Sequence, residues 1–198
     1  WGPRAQMITF ALSCVVLWIA ERHLVRGGRC IWVLPPLFLV WSNLHSGFII
    51  GLGFLVLMAL GDLAGHWLHL ADPAPRRRLV QLLGMAALCA AVAAINPNGP
   101  RIIVYPFATQ ASPAQQALIL EWHSPDFHGW EVRGFAMMLV SLAALCVINR
   151  RVRGRDLLLV LTTVALSFQS VRNITLFVAA ATPTWIDQVD VLLARSRR

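Results

Sequence analysis

The chain has no lysine, and it is poor in charge altogether. Charged residues are 13% of the 198 and hydrophobic residues 58%, whereas a soluble domain carries about 25% charge. That balance excludes an ordinary soluble domain. The cysteines are scattered at Cys14, Cys30, Cys89 and Cys146, with no C-x-x-C spacing, and three of them fall inside apolar runs. They read as small buried residues, and no disulfide framework is expected. No H-E-x-x-H motif occurs, so zinc hydrolysis has no support, and no metal-ligating set is assigned. No signal peptide, internal repeat or low-complexity tract is visible.

What is present is apolar sequence in seven runs, at 6–20, 31–41, 48–70, 79–95, 135–148, 157–171 and 174–186. Their composition is that of hydrocarbon-embedded helix. Several are shorter than the roughly 17–20 residues that a perpendicular span needs, so some are expected to be partial or re-entrant. The second run is interrupted by Pro35-Pro36. The expected fold is all-α, a polytopic integral membrane helical bundle with about seven hydrophobic segments. It forms a single domain over 1–198, and 96–133 is a loop that carries a short interfacial helix at 111–120.

The 17 arginines show how such a bundle is threaded. Thirteen fall into four clusters: Arg22/Arg26/Arg29, Arg76/Arg77/Arg78, Arg150/Arg151/Arg153/Arg155 and Arg195/Arg197/Arg198. Basic loops prefer the cytoplasmic side. With all four clusters inside, the runs between them leave and return, and Arg4, Arg101, Arg133 and Arg172 remain outside. The net charge of +8 does not point to nucleic acid, because the arginines lie in short loops between apolar runs rather than in a stripe with interleaved aromatics. Membrane lipids are the expected partners.

Two features within the third run concern packing. Gly47-x-x-x-Gly51 and Gly61-x-x-x-Gly65 let helix backbones approach closely. Asp62, embedded in apolar sequence, requires a buried partner that the sequence does not identify.

Four polar constellations share the expected outer face. In Trp41-Ser42-Asn43-Leu44-His45-Ser46-Gly47, Asn43 and His45 either bind a polar ligand, with His45 as acid or base, or make a hairpin turn. Asn96-Pro97-Asn98-Gly99-Pro100-Arg101 stops a helix, and Arg101 is a possible phosphate partner. Glu121-Trp122-His123-Ser124-Pro125-Asp126-Phe127-His128-Gly129-Trp130-Glu131 is the densest. Its carboxylates and histidines suit proton transfer or cation binding, and its tryptophans suit sugar stacking or the headgroup level. In Gln169-Ser170-Val171-Arg172-Asn173, an arginine between apolar runs either faces protein, water or an anion, or snorkels to the interface.

The order of Trp41–Gly47, Asn96–Gly99, Glu121–Pro125 and Ser170–Asn173 resembles a group of bacterial polytopic membrane proteins, glycosyltransferase-like and of the GT-C superfamily. The resemblance covers nearly the whole chain. It implies a site on the outer face of the bacterial inner membrane, a polyprenyl-phosphate sugar donor and, in many members, a divalent cation. It also implies an acidic catalytic residue in the first outer loop. No acidic residue precedes Glu21 here, so the chain is expected to be the C-terminal part of a longer membrane domain whose catalytic part lies upstream. On this resemblance Glu121, His45 and Asp126 are the catalytic candidates. Asn43, Arg101, Trp122, His123, Arg172 and Asn173 are the substrate-binding candidates, with the phosphate on Arg172 or Arg101. The alternative is a non-catalytic transporter or a structural subunit for lipid-linked sugars.

Overall fold

A computed structural model describes residues 5–196. Arg4, Arg197 and Arg198, counted above in the charge bias, lie outside the described residues. The described chain is helical: α1 (Ala5–Arg26), α2 (Leu34–Leu44), α3 (Phe48–Trp67), α4 (Arg76–Ala93), α5 (Arg101–Gln110), α6 (Pro113–Leu118), α7 (Arg133–Asn149), α8 (Gly154–Gln169) and α9 (Ile174–Ser196). Short 3-10 turns occupy Arg29–Val33, Leu120–Trp122, Trp130–Val132 and Val171–Asn173.

Each apolar run falls on one of α1–α4 or α7–α9. Four segments are long and apolar enough to cross a membrane: Gln6–Arg26, Phe48–Trp67, Trp130–Asn149 and Val171–Ser196. The expected fold, about seven hydrophobic segments with some of them short, thus shows four of spanning length and composition among the described residues. At 1.5 Å per residue, the 16 residues of α8 reach only about 24 Å, against a hydrocarbon core of about 30 Å. The helix α2 has 11 residues, and α4 spends its first turn on Arg76, Arg77 and Arg78.

Local chemistry corrects three boundaries. Pro35 and Pro36 do not interrupt the second run. They occupy the first turn of α2, where proline has no N–H to lose and a fixed φ that suits helix initiation. Residues 101–110, expected as part of the loop at 96–133, form α5, and Pro106 lies inside it. The interfacial helix expected at 111–120 is the single-turn Pro113–Leu118, because Ser112 and Pro113 break the chain from α5.

Helix α3 is the centre of the bundle, packed against α8, α4 and α1, while α9 packs against α8, α7 and α1. Close approach to α8 depends on glycine. A Cβ on Gly61 would lie 2.6 Å from the Gly154 carbonyl oxygen and 2.7 Å from the Arg155 Cα. Such backbone-to-backbone approach at small residues is the kind of packing by which helices associate in lipid. Trp41, Phe38, Phe48, Leu24, Leu34, Leu55 and Leu82 fill the main core. Phe135 and Phe177 stack edge-to-face at 5.0 Å in a second core beside α7.

The arginine clusters gather at one end of the bundle, where some of the arginines are exposed and others are paired or buried. Arg155 is 2% exposed. Its guanidinium binds Glu21 of α1 through Nε (2.8 Å) and Nη2 (3.1 Å), and Asp62 of α3 through Nη1 (2.7 Å). This is the partner that Asp62 requires. The same carboxylate accepts backbone N–H bonds from Arg155 (3.2 Å) and Ala74 (3.0 Å). Arg153 joins Glu21, Asp156 and Asp187, and Arg151 pairs with Asp72. Arg78 donates to the Leu24 and Val25 carbonyls, and Arg195 to those of Ile148 and Asn149, so these two cap the C-terminal ends of α1 and α7. The opposite end of the bundle holds the polar constellations.

Candidate functional site

Four sequence-distant segments meet at that opposite end around a cavity of about 600 Å³. Helix α1 contributes Gln6, Thr9 and Phe10, the α2–α3 turn His45, the 3-10 turn at Leu120–Trp122 Glu121, and the turn before α9 Arg172 and Asn173. Met7, Ile50 and Leu176 supply much of the remaining, apolar wall.

The two loops are stitched together directly. Ser170 Oγ donates to the Glu121 carbonyl (2.7 Å), and the Val171 N–H donates to the His123 carbonyl (3.0 Å). Ser170 is buried, and Trp122 lies beneath the Arg172 guanidinium, 5.8 Å from ring centroid to Cζ. A cation over an indole face is held electrostatically, which limits where Arg172 can point. Asn173 Nδ2 ties back to the Leu166 carbonyl at the end of α8 (3.0 Å). Glu121 Oε2 accepts from Gln6 Nε2 at 3.2 Å. The cavity thus has a carboxylate and a guanidinium on fixed backbone, on apolar walls.

His45 is held from two sides. Its Nδ1 accepts the Gly47 N–H (3.0 Å) and faces Thr9 Oγ1 (2.7 Å). A backbone N–H cannot accept, so Nδ1 is the unprotonated nitrogen and Nε2 carries the hydrogen of the neutral ring. Burial lowers the His45 pKa below its ordinary value, and the nearby Arg172 charge lowers it further. The ring is therefore neutral at pH 7, and its remaining capacity is that of a donor through Nε2. Gly47 permits this arrangement, since a Cβ there would run into Thr9 and lie 2.8 Å from His45 Nδ1.

Of the residues singled out in the sequence, Glu121, His45, Arg172 and Asn173 line the cavity, and Trp122 supports Arg172. The others do not line it. Asn43 donates to the Leu39 and Ile95 carbonyls and accepts from Asn96, which joins the α2 and α4 ends. His123 is exposed and its Nε2 contacts the Gln116 carbonyl. Asp126 is exposed, in a local turn with His128. Arg101 is exposed at the start of α5. Trp130 is 75% exposed. Gln6 and Thr9 were missed. They are polar residues three apart in the first apolar run, and that spacing on one helix face was the available signal.

The cavity does not suit a divalent cation. Among the described residues Glu121 is the only carboxylate lining it, Arg172 brings positive charge, and the His45 lone pair is already engaged. No group of three His, Cys, Asp or Glu side chains able to hold a metal is found among the described residues.

No protein-family model, curated protein or solved structure matches the chain.

Proposed function

We propose that the chain is part of a multi-pass membrane protein of the bacterial inner membrane that takes a polyprenyl-phosphate sugar into the Glu121–Arg172 cavity and acts as a glycosyltransferase. The arginine-rich end faces the cytoplasm, and the cavity opens on the periplasmic or extracellular side. On this reading the remaining apolar helices join the four long ones in the bilayer, α2 and α8 as short or re-entrant segments.

The observation that carries the reading is the convergence of Arg172, His45, Glu121 and Asn173 on one apolar-walled cavity. An arginine that makes no ion pair among the described residues and a neutral histidine donor suit a phosphate, whose anionic oxygens accept from both. The apolar wall suits the first isoprene units. In the transfer step the acceptor hydroxyl attacks the anomeric carbon and the sugar–phosphate C–O bond breaks. The lipid phosphate leaves with the bonding electrons, held by Arg172 and His45, and Glu121 takes the hydroxyl proton.

The experiment is transfer and donor binding by the intact protein in nanodiscs. Glu121→Gln lowers turnover about 10²–10⁴-fold with donor affinity retained. Arg172→Ala weakens donor binding about tenfold or more, and Arg172→Lys restores part of it, because the charge returns without the fork. Normal turnover in Glu121→Gln removes its catalytic role. Donor binding by the wild-type protein without transfer to any acceptor makes it a non-catalytic carrier or subunit.

A further inference from the structure

A second cavity, of about 490 Å³, lies at the arginine-rich end between the end of α1, the 3-10 turn at Arg29–Val33 and the first half of α4. Its polar lining is Arg26, Arg77, Arg78, His23 and Gln81, with no acidic residue among the described residues. The arginines differ in kind. Arg78 is fixed, with Nη1 bonded to the Leu24 and Val25 carbonyls. Arg26 and Arg77 are exposed and make no ion pair among the described residues. The network of Glu21, Asp62 and Asp156 is spent on Arg153 and Arg155.

His23 makes this more than a basic patch. It is 3% exposed and lines the cavity; its ring lies against the backbone of Gly28 and Arg78, and neither nitrogen makes a well-formed hydrogen bond among the described residues. A buried imidazole whose nitrogens are so poorly served keeps hydrogen-bonding capacity for a ligand. The wall beside it is glycine. Gly27 and Gly28 have φ of 73° and 102°, so the chain turns there without a side chain to fill the space. Gly84 completes the opening, since a Cβ there would meet nothing within 4 Å. Helix α4 begins behind Pro75, which supplies no side-chain cap, so its positive end is also unneutralised.

The rest of the lining is apolar. Trp32 is 63% exposed and Leu88 39%, next to Ile31 and Met85. A phosphate seated among Arg26, Arg77, Arg78 and His23 would have an apolar surface leading away from it. We infer that this cavity binds the phosphate headgroup of an anionic phospholipid, with an acyl chain lying along Trp32 and Leu88. The site is separate from the Glu121–Arg172 cavity at the other end of the bundle and does not depend on its reading.

The test uses the full chain, purified in an uncharged detergent and exposed to phosphatidylglycerol or phosphatidylcholine, with retained lipid counted by native mass spectrometry. The expected result is preferential retention of phosphatidylglycerol. The double variant Arg26→Gln/Arg77→Gln lowers that retention about tenfold or more. Gly84→Leu, which leaves every charge in place and fills open space, lowers it as well. Arg29→Gln, an exposed arginine outside the cavity lining, leaves it unchanged. Equal retention of the two lipids overturns the proposal, as does a loss in Arg29→Gln equal to that in the double variant. Full retention by folded Gly84→Leu also overturns it. Inorganic phosphate alone, titrated calorimetrically, separates the two sources of the anion. Tight binding that the double variant abolishes would assign the cavity to a soluble phosphate instead of a lipid.

Discussion

Replacing Asp62 by alanine should unfold a large part of the stability margin, although Asp62 touches neither cavity. Its carboxylate is 0% exposed and serves three donors: Arg155 Nη1 at 2.7 Å, the Arg155 N–H at 3.2 Å and the Ala74 N–H at 3.0 Å. Removing it leaves two buried N–H groups without acceptors and strips one partner from a guanidinium that is 2% exposed. Each orphaned donor costs about 1–3 kcal/mol, and breaking a buried pair from one side costs about 3–5 kcal/mol in all. Arg155 retains Glu21 through two bonds, at 2.8 and 3.1 Å, which places the expected loss near the lower figure. Asp62→Asn keeps an oxygen for the Arg155 N–H and should lose less than Asp62→Ala. Arg155→Met leaves Asp62 buried with backbone donors alone and should cost a similar amount. In the double variant the losses should fall short of their sum by about 1–3 kcal/mol, the coupling of groups in direct contact. Equilibrium unfolding by steric trapping in lipid bicelles reads all four free energies. A loss below about 1 kcal/mol for Asp62→Ala, or strict additivity in the double variant, would refute the claim that this pair locks α3 to α8.

Other outcomes follow from the opposite end of the bundle. The His45 pKa is lowered by burial and by Arg172, so the folded state binds fewer protons than the unfolded chain below the ordinary histidine value of 6.5. Stability is then fully present above that value and falls as pH drops toward the folded pKa. Melting curves from neutral pH downward should show this slope, and His45→Asn should flatten it. A Cβ at position 47 would lie 2.7 Å from Thr9 Cγ2, so Gly47→Ala should cost about 1–3 kcal/mol and Thr9→Ala should recover part of the loss. In a background lacking the native cysteines, Arg29→Cys and Arg150→Cys should react with an impermeant thiol reagent only after permeabilisation. Ser112→Cys and Ser124→Cys should react in intact cells, and labelling of all four from one side would overturn the topology.

The sequence carried the helices well because apolar runs are a length-scale signal, and α1, α3 and α9 begin within a few residues of the runs that predict them. It failed where meaning depends on a distant partner. Arg153 and Arg155 looked like loop charges because their acceptors, Glu21 and Asp62, lie more than 90 residues away. Pro35-Pro36 looked like a break because the sequence does not say which turn of a helix a proline occupies. The site was partly legible. His45 and Arg172 stand out as polar residues at the ends of apolar runs, and Glu121 as the start of the densest polar cluster. The same two signals promoted Asn43, whose bonds tie α2 to the end of α4, and Asp126, whose bonds are local. Thr9 and Gln6 were hidden inside a run by their apolar neighbours.

The central claim is that the Glu121–Arg172 cavity receives a lipid phosphate. Its most direct test is an experimental structure of the intact protein in nanodiscs with a polyprenyl phosphate added. The account predicts phosphate density within about 3 Å of the Arg172 guanidinium and His45 Nε2, with the prenyl chain against Met7 and Leu176. An empty cavity beside a lipid bound elsewhere, or a phosphate held away from Arg172, would contradict it.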